Sequence, residues 1–345
     1  MTTTKFDKAV GRYVHLTIDD VEYRVYYEES GSGIPLLLQH TAGCDGRQYR
    51  HLLEDEEITS HFRVITWDLP YHGRSLPPLS VRWWEQEYNL TQDFFMKFVV
   101  ALAEALDCED AVYMGSSMGG NLAPDLALHY PGVFRAVIAL EAALHSPGYY
   151  LDYWFHPEIS NDSKPAAMYA LTSPTAPEVG RRETTWVYSQ GSPPVFKGDL
   201  HYYSVEHDLR ETAQNIDTSK TAVYILNGEY DFATGPEEAE ELGARIEGAK
   251  VVPMAGLGHF PMSEDAAQFF RCIKPVLWES VTRLCRRRCS RLPSNPLTGC
   301  AAAVLVVVTT HEPTQPRGAA GERVPPTSPS AAPRRPSAHE PPRWV

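Results

Sequence analysis

The 345-residue chain reads as an α/β protein built on a mostly parallel sheet, and three observations predict this. Short, continuous apolar runs recur along the chain, the pattern of strands buried on both faces. Between them lie longer stretches with apolar residues at i, i+3 and i+4 spacing, the pattern of helices that cover a sheet. Near the start, an alternating segment turns back on itself as an antiparallel hairpin does.

Taken in order, residues 13–27 alternate apolar and polar side chains and turn at Asp19-Asp20. The runs "IPLLLQH" (34–40), "FRVITWD" (62–68), "AVYM" (111–114), "AVIALEA" (136–142), "TAVYILNG" (221–228) and "AKVVPMAG" (249–256) then supply the buried strands. The stretch "LTQDFFMKFVVALAEAL" (90–106) carries helical spacing, and Thr91 is placed to cap it. "PEEAEELGARIEG" (236–248) opens with Pro and acids, which favour a helix N-terminus through fixed φ and through the helix dipole.

The rhythm breaks over 143–219, where the chain is rich in aromatic and turn residues. This segment is expected to be an insertion, a cap over the C-terminal edge of the sheet that lines an apolar pocket. The core is then split into 1–142 and 220–278. From 279 to 345 the composition turns to Pro, Arg, Ala and Ser with few acids, and a disordered tail is expected.

The formal net charge of −13 argues against a nucleic-acid backbone as partner. No apolar run reaches the ~20 residues of a membrane span, and the first residues lack the apolar stretch of a signal peptide. Six cysteines stand without paired spacing. A cytoplasmic protein with reduced thiols is expected, one that acts on a small molecule and uses no cofactor. No His/Asp/Glu cluster has metal-ligand spacing. The oligomeric state is not readable.

The chemistry concentrates at "YMGSSMGGNL" (113–122), between a strand and a helix. A serine on a sharp strand-to-helix turn is exposed only if the residues two before and two after it are small. Ser117 has Gly115 and Gly119 at those positions, whereas Ser116 has Met114 and Met118. The glycine spacing therefore selects Ser117 as a nucleophile. A hydroxyl needs a base, and His259 follows the last predicted strand in "GLGHF". A base needs an acid to orient it, and "NGEYD" offers Asp231, with Glu229 as the fallback. The backbone N–H groups of Ala42 or Thr41, and of Met118, are the expected oxyanion donors. His40 and Ser116 are candidates to line the substrate. Asp68 and His72, in "WDLPYHGRS", read instead as parts of a structural turn.

The set "HTAG", "WDLPYHGRS", "GSSMGG", "NGEYD" and "GLGHFPMSE", in this order and spacing, resembles the α/β-hydrolase superfamily over roughly residues 13–277. The resemblance implies an eight-stranded, mostly parallel sheet with helices on both faces, a cap after the sixth strand, and a Ser-His-acid triad of Ser117, His259 and Asp231. Thr41 departs from the Gly that many members carry after the His. "SMGG" also looks like the elbow of relatives that cleave carbon–carbon bonds in ring-fission products, although those usually carry Asn where this chain has Ser116. The reading that follows is a serine hydrolase acting on an ester, thioester or lactone. Hydrolysis of a ring-fission diketone is the alternative within enzymes, and a non-catalytic small-molecule receptor is the alternative from another class.

Overall fold

A computed structural model describes residues 6–291. The chain opens with β1 (Val10–Ile18) and β2 (Val21–Gly31), paired antiparallel with Ile18 opposite Val21. Asp19 and Asp20 both have positive φ, 48° and 64°. Two left-handed residues in a two-residue loop match the right-handed twist of the strands, and Asp tolerates that region better than most residues.

The remaining strands are β3 (Ile34–Gln39), β4 (Phe62–Trp67), β5 (Val112–Ser116), β6 (Ala136–Leu140), β7 (Ala222–Gly228) and β8 (Lys250–Met254). Together they form one eight-stranded sheet in the order β1-β2-β4-β3-β5-β6-β7-β8. Pairing is parallel from β4 across to β8, and β1 and β2 are the antiparallel edge. Every residue of β5, β6 and β7 is buried. That is why these strands read as unbroken apolar runs rather than as alternations.

Short helices α1 (Arg50–Glu54) and α2 (Glu56–Thr59) lead into β4. Helix α3 (Gln92–Ala105) begins where expected, with the Thr91 hydroxyl accepting from the Phe94 N–H at 3.2 Å. It buries Phe94, Phe95, Phe98, Val99 and Leu102. Helix α4 (Met118–His129) follows β5 directly and is buried over its first ten residues, Met118 to Ala127.

Between β6 and β7 the chain forms α5 (Pro157–Leu171), α6 (Glu178–Ser189) and α7 (Pro193–His201), then a single π-type turn over Tyr202–Glu206. Helices α8 (Pro236–Arg245), α9 (Pro261–Glu264) and α10 (Ala266–Arg291) complete the described part. Residues 143–219 do not separate from the sheet: all described residues fall in one unit, Met1–Pro293.

One expectation needs correction. The boundary after Trp278 is not the end of regular structure, because α10 runs through it to Arg291. Ser280 is 2% exposed and Val281 packs against the core. The segment 279–291 holds neither Gly nor Pro, so nothing local stops the helix. The rest of the expected tail, 292–345, lies outside the described residues. Among the described residues no helix is long and apolar enough to cross a membrane.

Candidate active site

Ser117 stands at the junction of β5 and α4 with φ 56° and ψ −114°. This backbone is strained for a residue with a Cβ, at a cost of about 1–3 kcal/mol that the surrounding structure must hold. The glycines explain how it is held. A Cβ built on Gly115 would fall 2.1 Å from the carbonyl O of Gly119, and one on Gly120 would fall 2.0 Å from the carbonyl O of Leu140. A Cβ on Gly119 would meet the Gln39 side chain at 2.6 Å. The Ser117 N–H donates to Leu140 O at 2.9 Å, which ties the turn to β6. The strained backbone at Ser117 is thus held by close approach of the chain at Gly115, Gly119 and Gly120.

His259 follows β8 in a loop clamped by the insertion, its N–H donating to Leu171 O at 3.0 Å. Its Nδ1 lies 2.7 Å from Asp231 Oδ2. Asp231 follows β7 and is 5% exposed. Its Oδ1 accepts from the N–H groups of Ala233 (2.8 Å) and Thr234 (3.2 Å), and its Oδ2 also accepts from Thr234 Oγ1 (2.9 Å). Burial alone would push this carboxyl up. The His259 charge and hydrogen bond, with donors from Glu141 and Ala233, outweigh burial and hold it below the usual carboxylate range. Nε2 of His259 has no partner among the described residues. No hydrogen bond joins it to Ser117 in this structure; such bonds are often long before a substrate binds. Glu229, the fallback acid, is exposed and accepts from the Gly256 N–H at 2.9 Å, away from His259.

Three expectations about neighbouring residues are corrected. The Thr41 N–H is not available to an oxyanion, because it donates to Gln48 Oε1 at 3.0 Å. Its hydroxyl is engaged by Gln48 and by the Tyr188 hydroxyl. The N–H groups of Ala42 and Met118 have no acceptor among the described residues. His40 does not line a substrate site. It is fully buried, with Nδ1–H donating to Thr41 O at 2.8 Å and Nε2 accepting from the Leu69 N–H at 3.1 Å. Burial, reinforced by the nearby charge of His72, pushes its pKa down to about 4 and keeps it neutral. Ser116 is likewise 0% exposed, and its hydroxyl has no partner among the described residues. As the last residue of β5 it points away from the turn that exposes Ser117, because side chains alternate along a strand. Asp68 holds its turn together as expected, accepting from the N–H groups of Gly46 (3.0 Å) and Arg74 (2.7 Å).

Sequence reasoning missed several groups around the pair. Glu141, the residue after β6, is fully buried with φ 52° and accepts from the Gly228 N–H. Burial first, then the charge of Asp231, raises its pKa well above the ordinary range. A charged residue closing the apolar run "AVIALEA" was the available signal. Glu264, also fully buried, accepts from Gly258, Ser173 and Phe260 N–H groups, and burial raises its carboxyl to about 7 against those donors. From the insertion, Tyr203 turns its hydroxyl toward Ser146 and Ser117 without reaching full hydrogen-bond geometry. The ring of Phe260 stands 4.9 Å from that of His259, and Tyr188 packs on Phe260 at 5.2 Å. Among the described residues no group of three or more His, Cys, Asp or Glu side chains is arranged to hold a metal ion.

A strained serine after β5, an acid after β7 and a histidine after β8, all at the carboxyl ends of parallel strands of one sheet, define a hydrolase-type α/β scaffold. The alpha/beta hydrolase family profile matches residues 36–271. The chain belongs to the alpha/beta hydrolase family. It is 29% identical over 121 residues to the 2-hydroxymuconate semialdehyde hydrolase of Pseudomonas sp. (strain CF600), a stretch covering 35% of this chain and 40% of that protein. The chain thus aligns with about two-fifths of the length of the curated relatives it matches. Among solved structures, a thermophilic esterase from Thermogutta terrifontis superposes with a TM-score of 0.65 at 21% identity, covering 78% of this chain and 99% of that one. The enol-lactonase from Burkholderia xenovorans LB400 gives 0.65 at 18%, covering 78% and 100%. At these identities the structural likeness speaks for the fold alone.

Proposed function

We propose that the protein is a serine hydrolase that cleaves an ester, thioester or lactone of a mid-sized, partly apolar molecule. Ser117 Oγ attacks the carbonyl carbon while His259 Nε2 takes its proton. Asp231 holds the imidazole so that Nδ1 carries the other proton and Nε2 presents its lone pair. The N–H groups of Ala42 and Met118 hold the oxyanion, aided by the N-terminal end of α4. His259 then returns the proton to the leaving oxygen or sulfur, and the acyl group stays on Ser117. Water, deprotonated by the same nitrogen, releases the acid and restores the hydroxyl. The insertion 143–219 serves as the cap, with Tyr188, Phe196 and Tyr203 excluding water from the acyl group.

The observation that carries this reading is the asymmetry of His259. One ring nitrogen is fixed on a buried carboxylate and the other is unengaged, on the same sheet edge as a serine in a strained elbow. A second reading, hydrolysis of a carbon–carbon bond in a ring-fission diketone by the same residues, is favoured by the 29% identity to a 2-hydroxymuconate semialdehyde hydrolase. A series of 4-nitrophenyl esters of rising chain length, assayed beside a ring-fission diketone, separates the two. The primary reading expects ester turnover that Ser117→Ala abolishes. Turnover of the diketone alone would replace it with the second reading. Loss of neither activity in Ser117→Ala would remove both.

A further inference from the structure

Lys164, on α5, is a buried cation with no acid partner among the described residues. It is 1% exposed, and its Nζ donates to the Gly191 carbonyl at 2.6 Å. Burial lowers the Lys164 pKa to about 8, and the Cys44 thiol, which acts against that shift, is itself pushed well above its ordinary range by burial and stays neutral. An ammonium has three N–H donors, so two are left over here. Folded proteins rarely bury a charge without a counter-charge, because desolvation is too costly. By contrast, Arg47 and Arg74, on a nearby hollow of about 440 Å³, are paired with Asp45 and Asp68.

Independent donors gather around Lys164. Trp154 is 7% exposed and its Nε1–H has no acceptor among the described residues. Both residues lie against Phe196: the Trp154 ring stands perpendicular to it at 5.0 Å, and Lys164 Nζ is 5.6 Å from its centre. Gln48 Nε2, buried and also without a partner, sits on the side chain that holds the Thr41 N–H. Phe196, Gly191 and Gln48 touch the loop that carries Ala42. A Cβ built on Gly43 would fall 2.6 Å from Phe196, and one on Gly191 would fall 2.2 Å from the Gly43 carbonyl and 3.2 Å from Lys164 Nζ. Lys164 is therefore held on Gly191, whose backbone packs against the carbonyl of Gly43, the residue after Ala42. One positive charge among neutral donors matches a monoanion with two oxygens; a phosphate dianion would keep an uncompensated charge.

We propose that the site takes an acyl group bearing its own carboxylate, a hemi-ester or a carboxylated lactone, with that carboxylate held by Lys164 and Trp154. The assignment deepens the serine-hydrolase reading and rests on it. The test compares mono-4-nitrophenyl glutarate with 4-nitrophenyl hexanoate, an uncharged acyl chain of similar length, in the wild type, Lys164→Met and Trp154→Phe. The wild type is expected to prefer the glutarate ester. Lys164→Met is expected to lose about 10- to 100-fold in kcat/KM on the glutarate ester, the scale of a charge-assisted hydrogen bond. Trp154→Phe should lose several-fold on the same ester, and both variants should leave hexanoate unchanged, which also certifies their folding. Equal use of the two esters by the wild type, or a preference that survives Lys164→Met, would overturn the proposal and leave the hydrolase reading intact. If neither ester is turned over, the hydrolase reading fails, and glutarate binding decides the rest through thermal denaturation. Stabilisation of the wild type but not of Lys164→Met supports the carboxylate site, and equal or absent stabilisation overturns it.

Discussion

Two buried histidine–aspartate pairs in this protein look alike in composition and differ in what they can do. In one, His259 binds Asp231 through Nδ1 and leaves Nε2 unengaged, at the carboxyl ends of β7 and β8. In the other, His207 binds Asp125 through Nδ1 at 3.0 Å and donates from Nε2 to Ala143 O at 2.9 Å, with both side chains 0% exposed. Burial opposes the charge on His207, but Asp125 outweighs it and raises the pKa. Its two nitrogens both face acceptors, so both carry protons, and no lone pair remains to act as a base. His72 follows the same pattern, with Pro70 O at 2.9 Å and Asp199 at 2.8 Å. Under the proposed function, what sets His259 apart from the other two histidines is the ring nitrogen that the fold leaves unengaged, more than its acid.

The strongest break of this comparison is Asp231→Asn. It keeps the shape but lets Asn donate to Nδ1, which reverses the imidazole tautomer, and turnover should fall about 10⁴-fold. A loss under tenfold would place the orienting acid elsewhere. On the other side, His207→Ala should leave turnover per folded molecule near wild type but cost about 3–5 kcal/mol of stability, because Asp125 is left as an uncompensated buried charge. Denaturant titration reads this directly, and an unchanged midpoint would show that the pair is not a structural tie.

A smaller effect sharpens the electrostatics around the active pair. The Glu264 carboxyl is raised to about 7 in the fold, above its unfolded value. The native state therefore holds the proton more tightly. The stability this gives is fully present below the unfolded pKa, declines as pH rises through about 7, and is gone above it. The change amounts to at most ~3 kcal/mol. Glu264→Gln cannot titrate, so the difference in Tm between wild type and variant should shift against the wild type from pH 5 to pH 8. A constant difference would mean that Glu264 is ionised throughout.

Much of this was legible in the sequence because it follows from local rules. Unbroken apolar runs marked β3 to β7 and Thr91 marked the start of α3, whereas β8, also expected to be buried, is an edge strand exposed over most of its length. What escaped depends on meetings between distant segments. Gln48 takes the Thr41 N–H, and only the folded loop shows it. Both His40 nitrogens are used by Thr41 and Leu69, which turns a candidate for substrate contact into a structural tie. Glu141 reaches Asp231 only because β6 and β7 lie side by side. Lys164 reads as an ordinary helix-surface lysine until α5 and α7 enclose it. The composition shift near Trp278 was real, yet the segment 279–291 holds no Gly or Pro and the helix continues through it.

The central claim is that the strained elbow and the unengaged nitrogen of His259 make one nucleophile of Ser117. A fluorophosphonate probe, followed by mass spectrometry of the modified peptide, tests this most directly. The account predicts a single adduct on Ser117, present in Ser116→Ala, absent in Ser117→Ala and strongly slowed in His259→Ala. An adduct on Ser116, or labelling that persists at full rate in His259→Ala, would contradict it.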